Sequence, residues 1–198
     1  FMNLPNRLTV MRILMIPLII LIFIFPYAQF NINVPVYYVG AVGVSLVNIV
    51  VLVLFAIASI TDFLDGYIAR SRGLVTTFGK FADPIADKLL VNTMLIIFAS
   101  KCMVSVVPVL IMISRDTIVD GCRMIAATNQ VVVAAGMLGK IKTVTQMIAI
   151  ILILLNNLPF ELIGLPVADF VLWFAALISM ASGFQYFNQL KEFIFESK

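Results

Sequence analysis

Four carboxylates fall within 26 residues of this 198-residue chain: Asp62, Asp65, Asp83 and Asp87. Asp62 and Asp65 are three residues apart, so on a helix they lie about 60° apart around the axis and share a face. Asp83 and Asp87 are four apart, or about 40° by the same rule. If each pair points inward from its own helix, four negative charges face one another and repel unless cations lie between them. The chain has no histidine, so the ligands would be oxygens alone, which select Mg²⁺, Mn²⁺ or Ca²⁺. Two such ions bridged by shared aspartates suit displacement at a phosphoryl centre. The same aspartates could instead serve as caps and as partners of Arg70, Arg72, Lys80 and Lys88. Four of them at these spacings exceed what capping needs.

A second polar set comprises Ser114-Arg115-Asp116-Thr117, Asp120 and Arg123. On one helix Arg115, Asp116, Asp120 and Arg123 occupy less than half the circumference. Arginines inside an apolar span mark ligand sites by default, and paired guanidiniums match a phosphate bidentately. Lys140 and Lys142 add charge nearby. The alternative use is a brace, in which Arg115 or Arg123 pairs with Asp116 or Asp120; one set can do both.

These residues need a scaffold, and the composition says what kind. The chain is 63% hydrophobic and 12% charged, against roughly a quarter charged in a soluble domain. The apolar runs are long and continuous, so the expectation is an all-α integral membrane protein. It would form a single domain over 1–198, with a short interfacial helix at 2–12 and six spans at about 13–27, 36–65, 83–100, 104–128, 144–155 and 167–187. The first run lacks a small-residue cleavage site and reads as a retained span. The second exceeds the ~20 residues that cross a bilayer, so its acidic end should project into the headgroup layer or water. Asp83-Pro84 could start a helix or kink one that began near Thr76. Cys102 and Cys122 fit no metal spacing and should lie toward opposite faces.

An inside N-terminus puts Arg7, Arg12, Arg70, Arg72, Lys80, Lys140, Lys142, Lys191 and Lys198 on the cytoplasmic side. Lys101 alone falls outside, and the positive-inside rule favours this orientation. The acidic motif then faces the cytoplasm.

The motif Asp62-x-x-Asp65-Gly66-x-x-Ala69-Arg70, followed after eight residues by Gly79-x-x-x-Asp83-x-x-x-Asp87, resembles the CDP-alcohol phosphotransferase signature at every defined position. The resemblance implies a six-helix, divalent-metal-dependent membrane enzyme, commonly a homodimer, that displaces CMP from a CDP-linked donor with an alcohol. It implies that Asp62, Asp65 and Asp83 ligate metal, with Asp87 completing the acidic site and taking the acceptor's proton. Gly66, Ala69 and Gly79 would line the cytidine pocket and Arg70 would meet donor phosphate. Two ions, Mg²⁺ or Mn²⁺, are expected.

Three further stretches are similar to the bacterial branch of that family that makes phosphatidylglycerophosphate. They are Asn3-Leu4-Pro5-Asn6-Arg7-Leu8-Thr9 with Arg12, Arg115-Asp116 followed by Arg123, and Gly139-Lys140-Ile141-Lys142-Thr143 with Gln146-Met147. That likeness implies CDP-diacylglycerol as donor and sn-glycerol 3-phosphate as acceptor, the latter's phosphate on Arg115, Arg123, Lys140 and Lys142. Asp116 is one methylene shorter than the glutamate that branch would suggest. Inositol phosphate, serine or phosphatidylglycerol are the alternative acceptors, and no nucleic-acid partner is expected. From a different class, a divalent-cation transporter would use the carboxylates as a transit site, with acidic groups near the midplane and a second, outer gate.

Overall fold

A computed structural model describes residues 4–71, 77–128 and 136–195. Among them are six α-helices: α1 (Leu4–Ile24), α2 (Leu46–Ser71), α3 (Thr77–Ser100), α4 (Val106–Thr128), α5 (Met137–Leu154) and α6 (Val167–Phe195). A hairpin of β1 (Val36–Val39) and β2 (Val42–Ser45) precedes α2, and single 3₁₀ turns occupy Tyr27–Phe30 and Phe160–Ile163.

Several boundaries differ from the sequence expectation. The interfacial helix expected at 2–12 runs without a break into the first span, because no glycine or proline interrupts Met11-Arg12-Ile13. Residues 2 and 3 lie outside the described part. The second span was expected from residue 36, but its first ten residues form the hairpin and the helix starts at Leu46. The reason is local. Val36, Tyr37, Tyr38 and Val39 favour strand, and Gly40 supplies the positive φ (63°) that the tight turn needs. A side chain at Gly43 would place its Cβ 2.8 Å from the Tyr38 ring. At Asp83-Pro84 the longer helix holds: α3 begins at Thr77 and carries Pro84 two turns in. Likewise α5 begins seven residues before the expected Val144, which puts the whole basic Gly139–Thr143 stretch on a helix.

Successive helices alternate in direction. The starts of α1, α3 and α5 therefore share one end of the bundle with the finishes of α2, α4 and α6. Packing divides the six into two trios. α1 lies along α2 and α3, and α6 lies along α4 and α5, while contacts between the trios are sparse. Ile19, Phe23, Phe55, Met94, Phe98, Met112, Ile150 and Leu172 are fully or almost fully buried at the core, where Phe23 meets Phe98 edge-on at 5.8 Å. At the far end Asn48 Nδ2 donates to the Leu154 carbonyl (3.1 Å) and Asn156 Nδ2 to the Gly43 carbonyl (2.6 Å), which ties the hairpin to the end of α5.

Among the described residues, four stretches are long and apolar enough to cross a membrane: Asn6–Ile24, Leu46–Ile68, Met137–Leu154 and Val167–Gln189. Leu14, Leu21, Val53, Phe170 and Leu177 on these helices are exposed, as lipid-facing residues are. The chain is a mostly helical, multi-pass membrane protein. The remaining helices, α3 and α4, carry Asp83 and Asp87, and Arg115, Asp116, Asp120 and Arg123, respectively.

Candidate active site

The first helix reaches both acidic pairs. Thr9 and Arg12 are three residues apart on its buried face, each 1% exposed. Thr9 Oγ1 donates to Asp83 Oδ1 at 2.6 Å, and the Arg12 guanidinium pairs with Asp62. Asp62 at the end of α2 and Asp83 near the start of α3 are thus tied to one helix turn. Asp87, one turn beyond Asp83, interacts electrostatically with Asp62, Arg12, Lys88 and Lys142. Gly66 lies on α2, and Gly79 is buried on α3. The side chains of Asp65, Ala69, Arg70 and Lys80 lie outside the described residues.

Among the described residues no three carboxylates form a cluster that could hold a metal; the Asp65 carboxylate is not among them. The donor set still fits a hard divalent cation. It is all oxygen, and Asp62 and Asp87 repel each other across the gap between α2 and α3, a strain that a cation between them would relieve.

Asp87 also lines a cavity of about 230 Å³ between the trios. Lys88 and Asn92 join it from α3, Arg115, Asp116 and Arg123 from α4, Lys140, Lys142 and Gln146 from α5, and Tyr186 from α6. Asp87 and the basic residues Arg115, Arg123, Lys140 and Lys142, separated by up to 55 residues of sequence, come together around one space. Five cationic and two acidic side chains line it, an excess that favours an anionic ligand.

The brace envisaged from sequence is present in altered form. Asp116, 5% exposed, receives Lys142 Nζ at 2.5 Å on both oxygens and Arg115 Nη1 at 2.9 Å. Asp120 pairs with Lys88 rather than with an arginine. Arg115 Nη2 donates to Ser182 Oγ (2.5 Å) and Arg123 Nη2 to the Tyr186 hydroxyl (2.6 Å). Each guanidinium still has its Nε buried without a hydrogen-bond partner among the described residues, as does Asn92 Oδ1. Buried donors are normally satisfied, so these two N–H groups beside a cavity are suited to an incoming oxyanion.

Sequence reasoning missed the placement of Thr9, Arg12, Lys88, Ser182 and Tyr186. For Thr9 with Arg12 the available signal was three-residue spacing on a mostly apolar helix. For Ser182 with Tyr186 it was four-residue spacing on α6. Cys102 is exposed beyond α3 and Cys122 is buried in α4, both as free thiols.

Comparison with known proteins bears on this geometry. The model of the family described as CDP-alcohol phosphatidyltransferase matches residues 2–182. The chain is 44% identical over 187 residues to the CDP-diacylglycerol–glycerol-3-phosphate 3-phosphatidyltransferase of Bacillus subtilis, covering 94% of each chain. It is 41% identical over 192 residues to the protein of the same name from Rickettsia bellii, covering 96% of this chain and 97% of that one. With the like-named protein of Sodalis glossinidius the identity is 30% over 200 residues, covering 98% of both.

Proposed function

The chain belongs to the CDP-alcohol phosphatidyltransferase family, and from that we propose that it transfers the phosphatidyl group of CDP-diacylglycerol to sn-glycerol 3-phosphate. The products are phosphatidylglycerophosphate and CMP. The observation that carries the acceptor is the convergence of Asp87 with Arg115, Arg123, Lys140 and Lys142 on one cavity. A phosphate held there by the arginines lies in the same space as a carboxylate able to take a proton.

In this reading Asp87 removes the proton of the acceptor's attacking hydroxyl. The new oxygen–phosphorus bond forms to the phosphatidyl phosphorus as the bond to CMP breaks. Arg115, Arg123, Lys140 and Lys142 hold the acceptor's phosphate, so its hydroxyl meets the donor in one orientation. Gly66, Ala69 and Gly79 leave backbone room for the donor's cytidine, and Arg70 meets its phosphates. Asp62, Asp65, Asp83 and Asp87 would hold Mg²⁺ or Mn²⁺, as two ions. Such ions supply neutralisation of the charge that develops on departing CMP.

Six spans belong to the proposal, with α3 and α4 crossing as well. Asp87, Lys88, Arg115, Asp116 and Arg123 on these two helices line the cavity, the placement that a membrane tolerates. The N-terminus and the site would face the cytoplasm, which the concentration of basic residues at that end supports. A homodimer rests on the family resemblance alone.

The test is CMP release by purified protein in detergent, with CDP-diacylglycerol, Mg²⁺ or Mn²⁺, and one acceptor at a time. Release with sn-glycerol 3-phosphate, abolished by EDTA and restored by excess metal, is the expected outcome. Release only with inositol phosphate, serine or phosphatidylglycerol would keep the reaction and overturn the acceptor. Cation flux in liposomes without CMP release would overturn the enzyme reading.

A further inference from the structure

The arginines of the cavity are both engaged by α6. Arg115 and Arg123 are two turns apart on α4, and both guanidiniums lie against one ring, at 5.6 Å and 4.8 Å from the centroid of Tyr186. Two like charges held this close to one another repel. The face of the aromatic ring that both approach offsets part of that repulsion. The Tyr186 hydroxyl accepts from Arg123 Nη2 at 2.6 Å and from the Gly136 amide at 3.1 Å. It thereby joins α4 to the residue that opens α5, the helix of Lys140 and Lys142. One turn earlier on α6, Ser182 Oγ accepts from Arg115 Nη2 at 2.5 Å. Between them Gly183 leaves space for the stem of Arg115, since a Cβ there would come within 2.9 Å of Arg115 Cγ.

We propose that Ser182, Gly183 and Tyr186 are positioning residues of the acceptor-phosphate site, acting through Arg115 and Arg123. Each outer nitrogen engaged by α6 fixes its guanidinium plane while the Nε of each arginine keeps no partner among the described residues. The ligand class is a small phosphomonoester dianion. This deepens the function proposed above and rests on it.

The experiment compares wild type with Tyr186→Phe, Ser182→Ala and Gly183→Ala in the CMP-release assay, varying each substrate separately. Tyr186→Phe keeps the ring that both arginines approach and removes only the hydroxyl. A lost hydrogen bond to a charged group corresponds to about a tenfold effect or more, so Tyr186→Phe and Ser182→Ala should each raise the sn-glycerol 3-phosphate KM by about tenfold. The KM for CDP-diacylglycerol should stay as in wild type, and Gly183→Ala should follow the same pattern. In an Arg123→Ala background, Tyr186→Phe should cost much less than in wild type, because only the bond from the Gly136 amide is then left to lose.

Additive effects in that double variant, or donor and acceptor KM rising together, would reduce Tyr186 to general packing and overturn the inference. Unchanged acceptor KM in Tyr186→Phe and Ser182→Ala, with wild type normal, would overturn it alone. Wild type that shows no saturation with sn-glycerol 3-phosphate would remove the acceptor reading and this inference with it.

Discussion

Asp87→Asn should lower CMP release by about 10²- to 10⁴-fold, the contribution of a general base, while leaving CDP-diacylglycerol binding in place. The substitution keeps the shape and removes the charge. Thr9 stays bonded to Asp83 and Arg12 to Asp62, because neither contact involves Asp87. Only the group that faces the arginines across the cavity changes. Turnover and donor binding measured on one preparation check this. Full activity in the variant would exclude Asp87 as base, and recovery at high Mn²⁺ would make metal holding its main role.

The second large effect is on stability. Asp116→Ala should destabilise the protein by about 3–5 kcal/mol, the usual result of leaving a buried charge without its partner. The Asp116 carboxylate is 6% exposed and Lys142 is equally enclosed, with the two in contact at 2.5 Å. Arg115 uses the same oxygen at 2.9 Å. Its removal strands two cations beside Arg123 and Lys140. Thermal melting in detergent should fall by roughly 10 °C. Adding Lys142→Met should restore part of the loss, because the double variant has one fewer unpaired charge. A single variant that melts like wild type would show that water reaches the pair.

The contrast between what the sequence revealed and what it hid follows distance along the chain. Asp62 with Asp65, and Asp83 with Asp87, are related by helical spacing, so the two acidic helices could be read directly. Arg115 and Arg123 share a helix in the same way, and their common cavity with Asp87 follows that reading. The partner of Asp116 could not be found so. Lys142 is 26 residues away on another helix, and no periodicity links them. Nearer candidates on the same helix, Arg115 and Arg123, competed for the assignment, and Arg115 does share it. Ser182 and Tyr186 had the same disadvantage, at 67 and 63 residues from their arginines. The hairpin was hidden for another reason. Residues 36–45 are as apolar as a span, so hydropathy merged them with α2. Gly40 and the β-branched and aromatic run before it carried the contrary signal.

The division into two trios has a consequence for how the protein responds to its ligands. In the proposed assignment the donor-side aspartates lie on α2 and α3 and the acceptor-side arginines on α4, with few contacts joining the two trios. A pair of substrates that meet across this boundary acts as a cross-link between halves that are each already packed. The work of binding is then also the work of clamping the halves together. Bound substrate raises the resistance of the whole bundle to opening, by the linkage that couples any native-state ligand to folding. Donor and acceptor together should therefore stiffen the protein more than either does alone.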